Sequence, residues 1–126
     1  MSARGAKGTA DLYFSKVVRL RGKCEWPGCP QTHGLQAAHI LRRRFVGDPD
    51  GVGLRTNEDN AWCLCAIHHG IVDTDAVSFT RLVEQTIGFE LYDQLLAVKN
   101  APHRPWRESD WISERARLLA ILKEAA

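Results

Sequence analysis

Two short pairs of zinc-type ligands stand out in the sequence. Cys24 and Cys29 lie in the segment Cys-Glu-Trp-Pro-Gly-Cys, and Cys65 and His68 lie in Cys-Ala-Ile-His. The Pro-Gly turn favours bringing the first two thiolates onto one ion, and a three-residue spacing places the second pair on one face of a helix. Three thiolates and one imidazole suit tetrahedral Zn²⁺. We therefore predict a structural zinc site made of these four residues.

Two neighbouring residues offer alternatives to this ligand set. His33 follows the first pair and is a second candidate for the fourth ligand, ranked below His68. Cys63 belongs to a predicted strand on which it alternates with its neighbours, so we interpret it as a buried thiol. A redox pair of Cys63 and Cys65 would lack the two-residue gap of thioredoxin-like motifs.

A second group of residues has the chemistry needed to hydrolyse a phosphodiester. His39 ends a predicted strand, and His69 and Asp73 are four residues apart, on one face of a predicted helix. An imidazole and a carboxylate so placed can bind Mg²⁺ or Mn²⁺. His68 lies ~100° around the helix from His69, so the two histidines can serve different metals. Hydrolysis needs a general base and a cation beside the leaving oxygen, which these residues can supply.

Four arginines flank the proposed base in the sequence. They are Arg42, Arg43, Arg44 and Arg55. Guanidinium groups match phosphate oxygens, so we expect these side chains to bind a phosphate backbone or the scissile phosphate, with Arg42 the nearest. The alternative for a run of three arginines is a solvated basic loop.

Together these residues resemble the HNH endonuclease family of ββα-metal (His-Me finger) nucleases, in particular its stand-alone bacteriophage members. The resemblance covers roughly residues 11–79. The segments that carry it are Ala38-His39-Ile40 and Asn60-Ala-Trp-Cys-Leu-Cys65-x2-His68-His69. It implies an α+β fold, a small zinc-stapled ββα-metal finger in which two ligand pairs are zinc knuckles and His68 replaces the usual fourth cysteine.

The resemblance also implies a role for each matched residue. His39 would be the general base, Asn60 would hold it in place directly or by bracing the loop, and His69 would bind the catalytic ion. Asn57 is an alternative to Asn60. Many family members have a metal ligand immediately before the base, where this chain has alanine, so we expect Asp73 to supply the missing donor. The ion would be Mg²⁺ or Mn²⁺, with Zn²⁺ or Ni²⁺ as alternatives, and the products would carry 5′-phosphate and 3′-hydroxyl ends.

We therefore predict a metal-dependent DNA endonuclease that nicks DNA or cuts both strands. The alternative is a catalytically inactive zinc module that binds DNA or a protein, with Ala38 marking the loss of activity. A zinc peptidase is disfavoured because the sequence lacks a His-Glu-x-x-His helix. DNA is the expected partner, and phage packaging or recombination proteins are suggested by the resemblance alone.

The length, hydrophobic content and charge distribution of the chain limit the possible kinds of protein. The 126 residues, 44% of them hydrophobic, suffice for one domain. The longest aliphatic run, residues 118–122, is far shorter than the ~20 residues of a membrane span, and no signal-peptide pattern opens the sequence, so we expect a soluble, cytoplasmic protein. Residues 1–55 carry a net charge of +6 and residues 56–126 one of −4, which indicates a basic face suited to polyanions.

The pattern divides the chain into a mobile basic arm (residues 1–10), a nuclease core (11–99) and a helical extension (100–126). The elements predicted in the core are a helix favoured over a strand at 11–21, strands at 35–40 and 61–64, a loop at 43–59, a helix at 66–72, a strand or turn at 77–81, and helices at 81–87 and 89–99 interrupted at Gly88. In the extension, Ser109 or Ser113 would cap a last helix. Trp106 and Trp111 are expected to dock this helix on the core rather than to stack on bases.

Overall fold

The protein has an α+β fold, as predicted. The computed structural model describes residues 5–42, 51–102 and 104–126. In these ranges the elements are, in chain order, α1 (Ala6–Arg19), β1 (Leu35–His39), two 3₁₀ turns (Gly51–Thr56 and Glu58–Asn60), β2 (Ala61–Cys65), α2 (Ala66–Thr74), α3 (Ala76–Thr86), α4 (Gly88–Asn100) and α5 (Glu108–Ala125). No helix in these ranges is long and apolar enough to span a membrane.

The two strands form an antiparallel sheet. Leu35 pairs with Cys65 at one end and His39 with Ala61 at the other. Because side chains alternate along a strand, each face of this pair packs on a different layer. Ala37 and Cys63 belong to a core shared with α1 and α5, whereas Ala38 and Trp62 belong to a core shared with α2 and α3. The sheet thus forms the middle layer of the fold.

Most of the predicted elements are confirmed with small changes at their ends. These are the helix within 11–21, the strands at 35–40 and 61–64, the helix at 66–72, the helices at 81–87 and 89–99, and the break at Gly88, whose φ is 81°. A positive φ suits glycine, which lacks a Cβ, so the chain changes direction there between α3 and α4.

The first helix begins earlier than the sequence pattern predicts. It starts at Ala6 rather than at Asp11, so the boundary of the predicted basic arm at residues 1–10 is corrected to Ala6; residues 1–4 lie outside the described part of the chain. Ala6 and Ala10 are 2% and 0% exposed. Alanine has the highest helix propensity, and its small side chain lets α1 lie close to α5. A small residue gives little hydrophobic signal in the sequence even where it is buried.

The strand or turn predicted at residues 77–81 is wrong, because this segment belongs to α3. The side chain of Asp75 accepts a hydrogen bond from the backbone N–H of Val77 (3.1 Å) and so caps the helix. Leu82 and Val83 then bury one face of α3 in the core beside the sheet. The cap and this tertiary packing override the β-branched residues at the start of the segment.

The cap predicted for the last helix is also wrong. Helix α5 begins at Glu108, ahead of Ser109 and Ser113, and its N-cap is Arg107. The Asp110 carboxylate accepts a hydrogen bond from the Arg107 backbone N–H (2.8 Å), which is one half of a capping box. The N-terminus of α5 is thus stabilised by the side chain of its third residue, Asp110, and not by a serine cap.

The last helix docks on the core, as predicted from its tryptophans, and α1 is its partner there. Trp111 is 3% exposed and shares a core with Phe14 and Leu118. Trp106 packs edge to face on Trp111, with ring centroids 4.7 Å apart. Trp106 also covers Gly53, where a Cβ would lie 2.7 Å from the indole ring.

Part of the predicted loop at residues 43–59 forms 3₁₀ turns. Residues 43–50 lie outside the described part of the chain, and with them Arg43 and Arg44. The following residues form the two 3₁₀ turns that lead into β2. Short 3₁₀ turns of this kind commonly connect regular elements.

Helix α5 holds these turns in place through a buried carboxylate. Glu114, 8% exposed, accepts a hydrogen bond from the Thr56 hydroxyl (2.5 Å) and one from Arg117 (2.8 Å). Arg117 also bonds Glu58 (2.8 Å). Hydrogen bonds to Glu114 and Glu58 raise the pKa of Arg117 above its usual value. The C-terminal helix therefore fixes the segment that precedes β2.

Replacing Leu118 with alanine tests whether α5 is an integral part of the fold. Leu118 is fully buried, so Leu118→Ala should lower the free energy of unfolding by about 2–5 kcal/mol. Ile112 lies on the same helix and is 45% exposed, so Ile112→Ala should change it by less than about 0.5 kcal/mol. Urea denaturation measures both values. Equal effects for the two variants would show that α5 does not pack as described.

Candidate functional site

The structure brings the four predicted zinc ligands together. Donor atoms of Cys24, Cys29, Cys65 and His68 all lie within 4.8 Å of one another. His68 Nδ1 is 3.5 Å from the Cys24 sulfur and 3.3 Å from the Cys65 sulfur. Ligands of tetrahedral zinc, at about 2.3 Å for sulfur and 2.0–2.1 Å for nitrogen, are separated by ~3.6 Å. The donor types and their spacing fit this ion, so the cluster could hold a metal such as zinc.

A tight turn explains how the first two cysteines reach the same point. The backbone N–H of Cys29 donates to the carbonyl of Trp26 (2.9 Å), and that of Cys24 donates to Gln31 (2.9 Å). Gly28 has a φ of 83°, a conformation that glycine adopts without strain. The Pro-Gly sequence therefore forms the turn that its composition predicts.

This turn is anchored to the strand that carries the third cysteine. The Glu25 backbone N–H donates to the Cys63 carbonyl (2.8 Å), and the Glu25 carboxylate accepts from the Cys63 N–H (2.7 Å). Cys65 is the N-cap of α2, so His68 lies in the first turn of the helix. The indole of Trp26 stacks on the His68 ring, 4.4 Å between centroids and 6° between planes. Backbone contacts thus position the cysteines, and stacking on Trp26 orients the His68 ring.

The thiols of the cluster differ in acidity. A backbone hydrogen bond from His68 lowers the pKa of Cys65, whereas burial raises the pKa of Cys24. Both Cys65 and Cys24 must be deprotonated to thiolates in order to bind a metal ion. Burial also raises the pKa of Cys63, which is fully buried in the core with α1, away from the cluster, as predicted. The exposed His33 lies outside the cluster too.

A second pair of donors lies next to the cluster on α2. His69 Nε2 is 3.5 Å from the Asp73 carboxylate, as the four-residue spacing predicts. His69 Nδ1 is 2.7 Å from the side-chain oxygen of Gln36 on β1. That oxygen only accepts, so Nδ1 carries the hydrogen, and in the neutral ring the lone pair lies on Nε2. Gln36 was missed in the sequence, although strand alternation places it on the same face as Ala38.

Arg42 completes the surroundings of Asp73. Its guanidinium donates to the carbonyl of Val72 (2.7 Å) and lies 3.3 Å from Asp73 Oδ1, while Oδ2 of the same carboxylate faces His69. We call His69 and Asp73 the candidate ion site. Arg42 therefore lies beside this site, where a phosphate contact was predicted. Ala38 is buried and has no donor atom, and within the described residues no third Cys, His, Asp or Glu joins His69 and Asp73 in a cluster.

His39 is held by contacts with two other elements. Its Nε2 lies 2.7 Å from the carbonyl oxygen of Arg55, and its ring stacks on Phe14 of α1 with centroids 5.1 Å apart. A carbonyl oxygen only accepts, so Nε2 carries the hydrogen and the neutral ring has its lone pair on Nδ1. The Arg55 guanidinium makes two bonds to Asp11 (2.6 and 2.8 Å), a carboxylate partner that competes with the predicted phosphate contact. Phe14 and Asp11 were missed because nothing in the sequence links α1 to His39.

Asn60 braces the backbone around this contact. It is fully buried, its side-chain amide donates to the carbonyls of Leu41 (3.0 Å) and Leu54 (3.1 Å), and its oxygen accepts from the Leu41 N–H (2.7 Å). Leu41 lies two residues after His39 and Leu54 immediately precedes Arg55, so Asn60 joins the two segments that meet at the imidazole. The alternative residue, Asn57, instead caps the second 3₁₀ turn.

A pair of cysteine substitutions tests the zinc assignment. Cys65→Ala should reduce zinc to less than one ion per chain and should unfold much of the domain, because a structural zinc contributes folding free energy directly. Cys63→Ala removes a thiol outside the cluster and should retain full zinc content. Metal analysis and thermal melting of purified proteins check both. Stoichiometric zinc in Cys65→Ala would remove this residue from the ligand set.

Comparison of the chain with protein-family models, with curated proteins and with solved structures found no match. Its function is therefore inferred from the geometry of its own residues.

Proposed function

We propose that this protein is a metal-dependent DNA endonuclease. The observation that carries the proposal is how the chain around β1 assembles three groups. Gln36 contacts His69, Arg42 contacts Asp73, and His39 lies between these two contacts in the chain. A candidate general base, a candidate ion site and an arginine thus adjoin one short segment, with His39 on the face of β1 toward α1 and Gln36 on the face toward α2. The order β1, β2, α2 supports a ββα-metal finger.

His39 would act as the general base. Its lone pair on Nδ1 can take a proton from the attacking water, the role that histidine often has in general base catalysis. The hydrogen on Nε2 remains bonded to the Arg55 carbonyl after protonation, so the imidazolium keeps its partner. Phe14 and Asp11 would fix the position of the ring, the first by stacking and the second through Arg55.

His69 and Asp73 would hold the catalytic divalent ion. Mg²⁺ is commonly bound by one or two protein donors, with waters and substrate phosphate oxygens completing its shell, so two donors suffice even with Ala38 in place of a third. When bound, such an ion polarises the phosphate and stabilises the departing 3′ oxygen. The hydrogen bond from His69 to Gln36 directs the Nε2 lone pair away from the strand, as outer partners of metal-bound histidines do.

The DNA backbone would be bound by the basic N-terminal half of the chain. Residues 1–55 have a net charge of +6, and Arg42 is the cation nearest to the candidate ion site in the described part of the chain. Contacts to phosphate give affinity and orientation without sequence choice. The zinc cluster would have a structural role, because its four protein donors leave no open position for a substrate.

A second candidate function is a zinc module that binds DNA or a protein without cutting. The observation in its favour is Ala38, whose buried methyl group stands where a third metal donor would be expected. This alternative keeps the zinc cluster and the basic half of the chain. It differs from the nuclease in requiring neither the His39 lone pair nor a second ion.

Relaxation of supercoiled plasmid separates these two functions. Zinc-loaded wild-type protein should nick or linearise plasmid when Mg²⁺ or Mn²⁺ is added and not in metal-depleted buffer. His39→Ala should lower the rate by about 10²–10⁴-fold, the usual contribution of a general base. His33→Ala, at an exposed histidine outside both sites, is the matched control and should cut at the wild-type rate.

Two results would count against the nuclease. Unchanged cutting by folded His39→Ala would remove this residue as the base. No cutting of plasmid, branched or single-stranded DNA by the zinc-loaded wild type would favour the binding module.

A further inference from the structure

A cavity of about 420 Å³ opens beside the candidate ion site. Its walls are apolar and aromatic and come from three helices: Val72 of α2, Phe79 of α3, and Tyr92 and Leu96 of α4. The Phe79 ring is fixed edge to face between Trp62 and Tyr92, at 5.4 and 6.2 Å between centroids. The aromatic wall is therefore held in place by packing with the core.

The rim of this cavity is polar and belongs in part to the site already described. Asp73 and Arg42 both line it, so the cavity is continuous with the candidate ion site. Lys99 of α4 also lines it, and the Lys99 ammonium makes no hydrogen bond or ion pair with the part of the chain that the structure describes. The remaining carboxylate on the rim, Asp75, is engaged in capping α3 through Val77. Lys99 is thus a cation at the rim left available for an anionic ligand.

We infer that this cavity binds one unpaired nucleotide of the DNA strand, next to the phosphate that is cut. This inference rests on the proposed nuclease function. Flat aromatic and apolar walls suit a nucleobase, which stacks on such surfaces whatever its sequence. The cations of Lys99 and Arg42 suit the phosphates on either side of it.

The size of the cavity suits a small ligand such as a single nucleotide. Its volume lies within the range of about 300–1,000 Å³ that is typical of small-molecule pockets. Enzymes that hold one base in such a pocket act on single strands or extrude the base from the duplex, which breaks its stacking and pairing. The substrate class that follows is single-stranded, flapped or otherwise unpaired DNA, in preference to regular duplex.

Nucleotide binding tests this inference without cleavage. Zinc-loaded protein, with no Mg²⁺ or Mn²⁺ added, is titrated with dAMP or TMP and followed by NMR. The aromatic signals of Phe79 and Tyr92 and the methyl signals of Leu96 should shift. Deoxyribose 5-phosphate, which lacks the base, should leave these signals unchanged.

Two tryptophan substitutions on α4 show where the nucleotide binds. Leu96→Trp fills the cavity and should weaken nucleotide binding at least about tenfold. Val98→Trp adds the same side chain at a position that is 43% exposed and outside the cavity, and should bind as the wild type does. If Leu96→Trp fails to fold, Lys99→Gln replaces it, with Lys123→Gln on α5 as its control. Equal binding by the cavity variant and its control would overturn the inference.

Cleavage then separates the failure of this inference from the failure of the proposed function. With Mn²⁺, the wild type should cut single-stranded or flapped DNA faster than regular duplex, and Leu96→Trp should lose this preference. Cutting of duplex that is equally fast and unaffected by Leu96→Trp would overturn the nucleotide site and leave the nuclease standing. Nucleotide binding in the cavity without any cutting would overturn the nuclease and support a nucleotide-binding module. An absence of both binding and cutting would overturn both.

Discussion

The pairing of β1 with β2 determines where every candidate functional group lies. Its register puts Cys65 opposite Leu35 and His39 opposite Ala61. One end of the hairpin therefore meets the zinc-type cluster, and the other end carries the candidate base. A shift by one residue would turn each side chain to the opposite face, which would remove His39 from Phe14 and Gln36 from His69. The two separate cores on the two faces of the sheet hold this register.

The small sheet depends on polar contacts as well as on its cores. Glu25 joins the first cysteine turn to β2, Asn60 joins the ends of the segment between the strands, and Glu114 joins α5 to that segment. Each is a side chain whose partners lie far away in the sequence, and two of the three are buried. A buried polar group is costly without its partners, so these residues favour a single arrangement of the chain. A metal ion bound by Cys24, Cys29, Cys65 and His68 would add a fourth link, between the first cysteine turn and α2.

The sequence predicts the parts of this structure that depend on local spacing. The four-residue cluster follows from two short pairs and a Pro-Gly turn, and the His69 and Asp73 pair follows from the period of a helix. Several parts that depend on tertiary contacts were missed or wrong. The start of α1 depends on alanines buried against α5, α3 replaces a predicted strand because of its cap and its packing, and Asp11 reaches Arg55 only in the folded chain.

The most direct test of the account is to locate a second ion. Crystals of the zinc-loaded protein soaked in Mn²⁺ are measured at wavelengths that distinguish manganese from zinc. We expect zinc in the cluster of Cys24, Cys29, Cys65 and His68, and manganese between His69 Nε2 and the carboxylate of Asp73. Zinc in the cluster with no manganese at His69, even at high Mn²⁺ concentration and with DNA bound, would contradict a one-metal nuclease at this site.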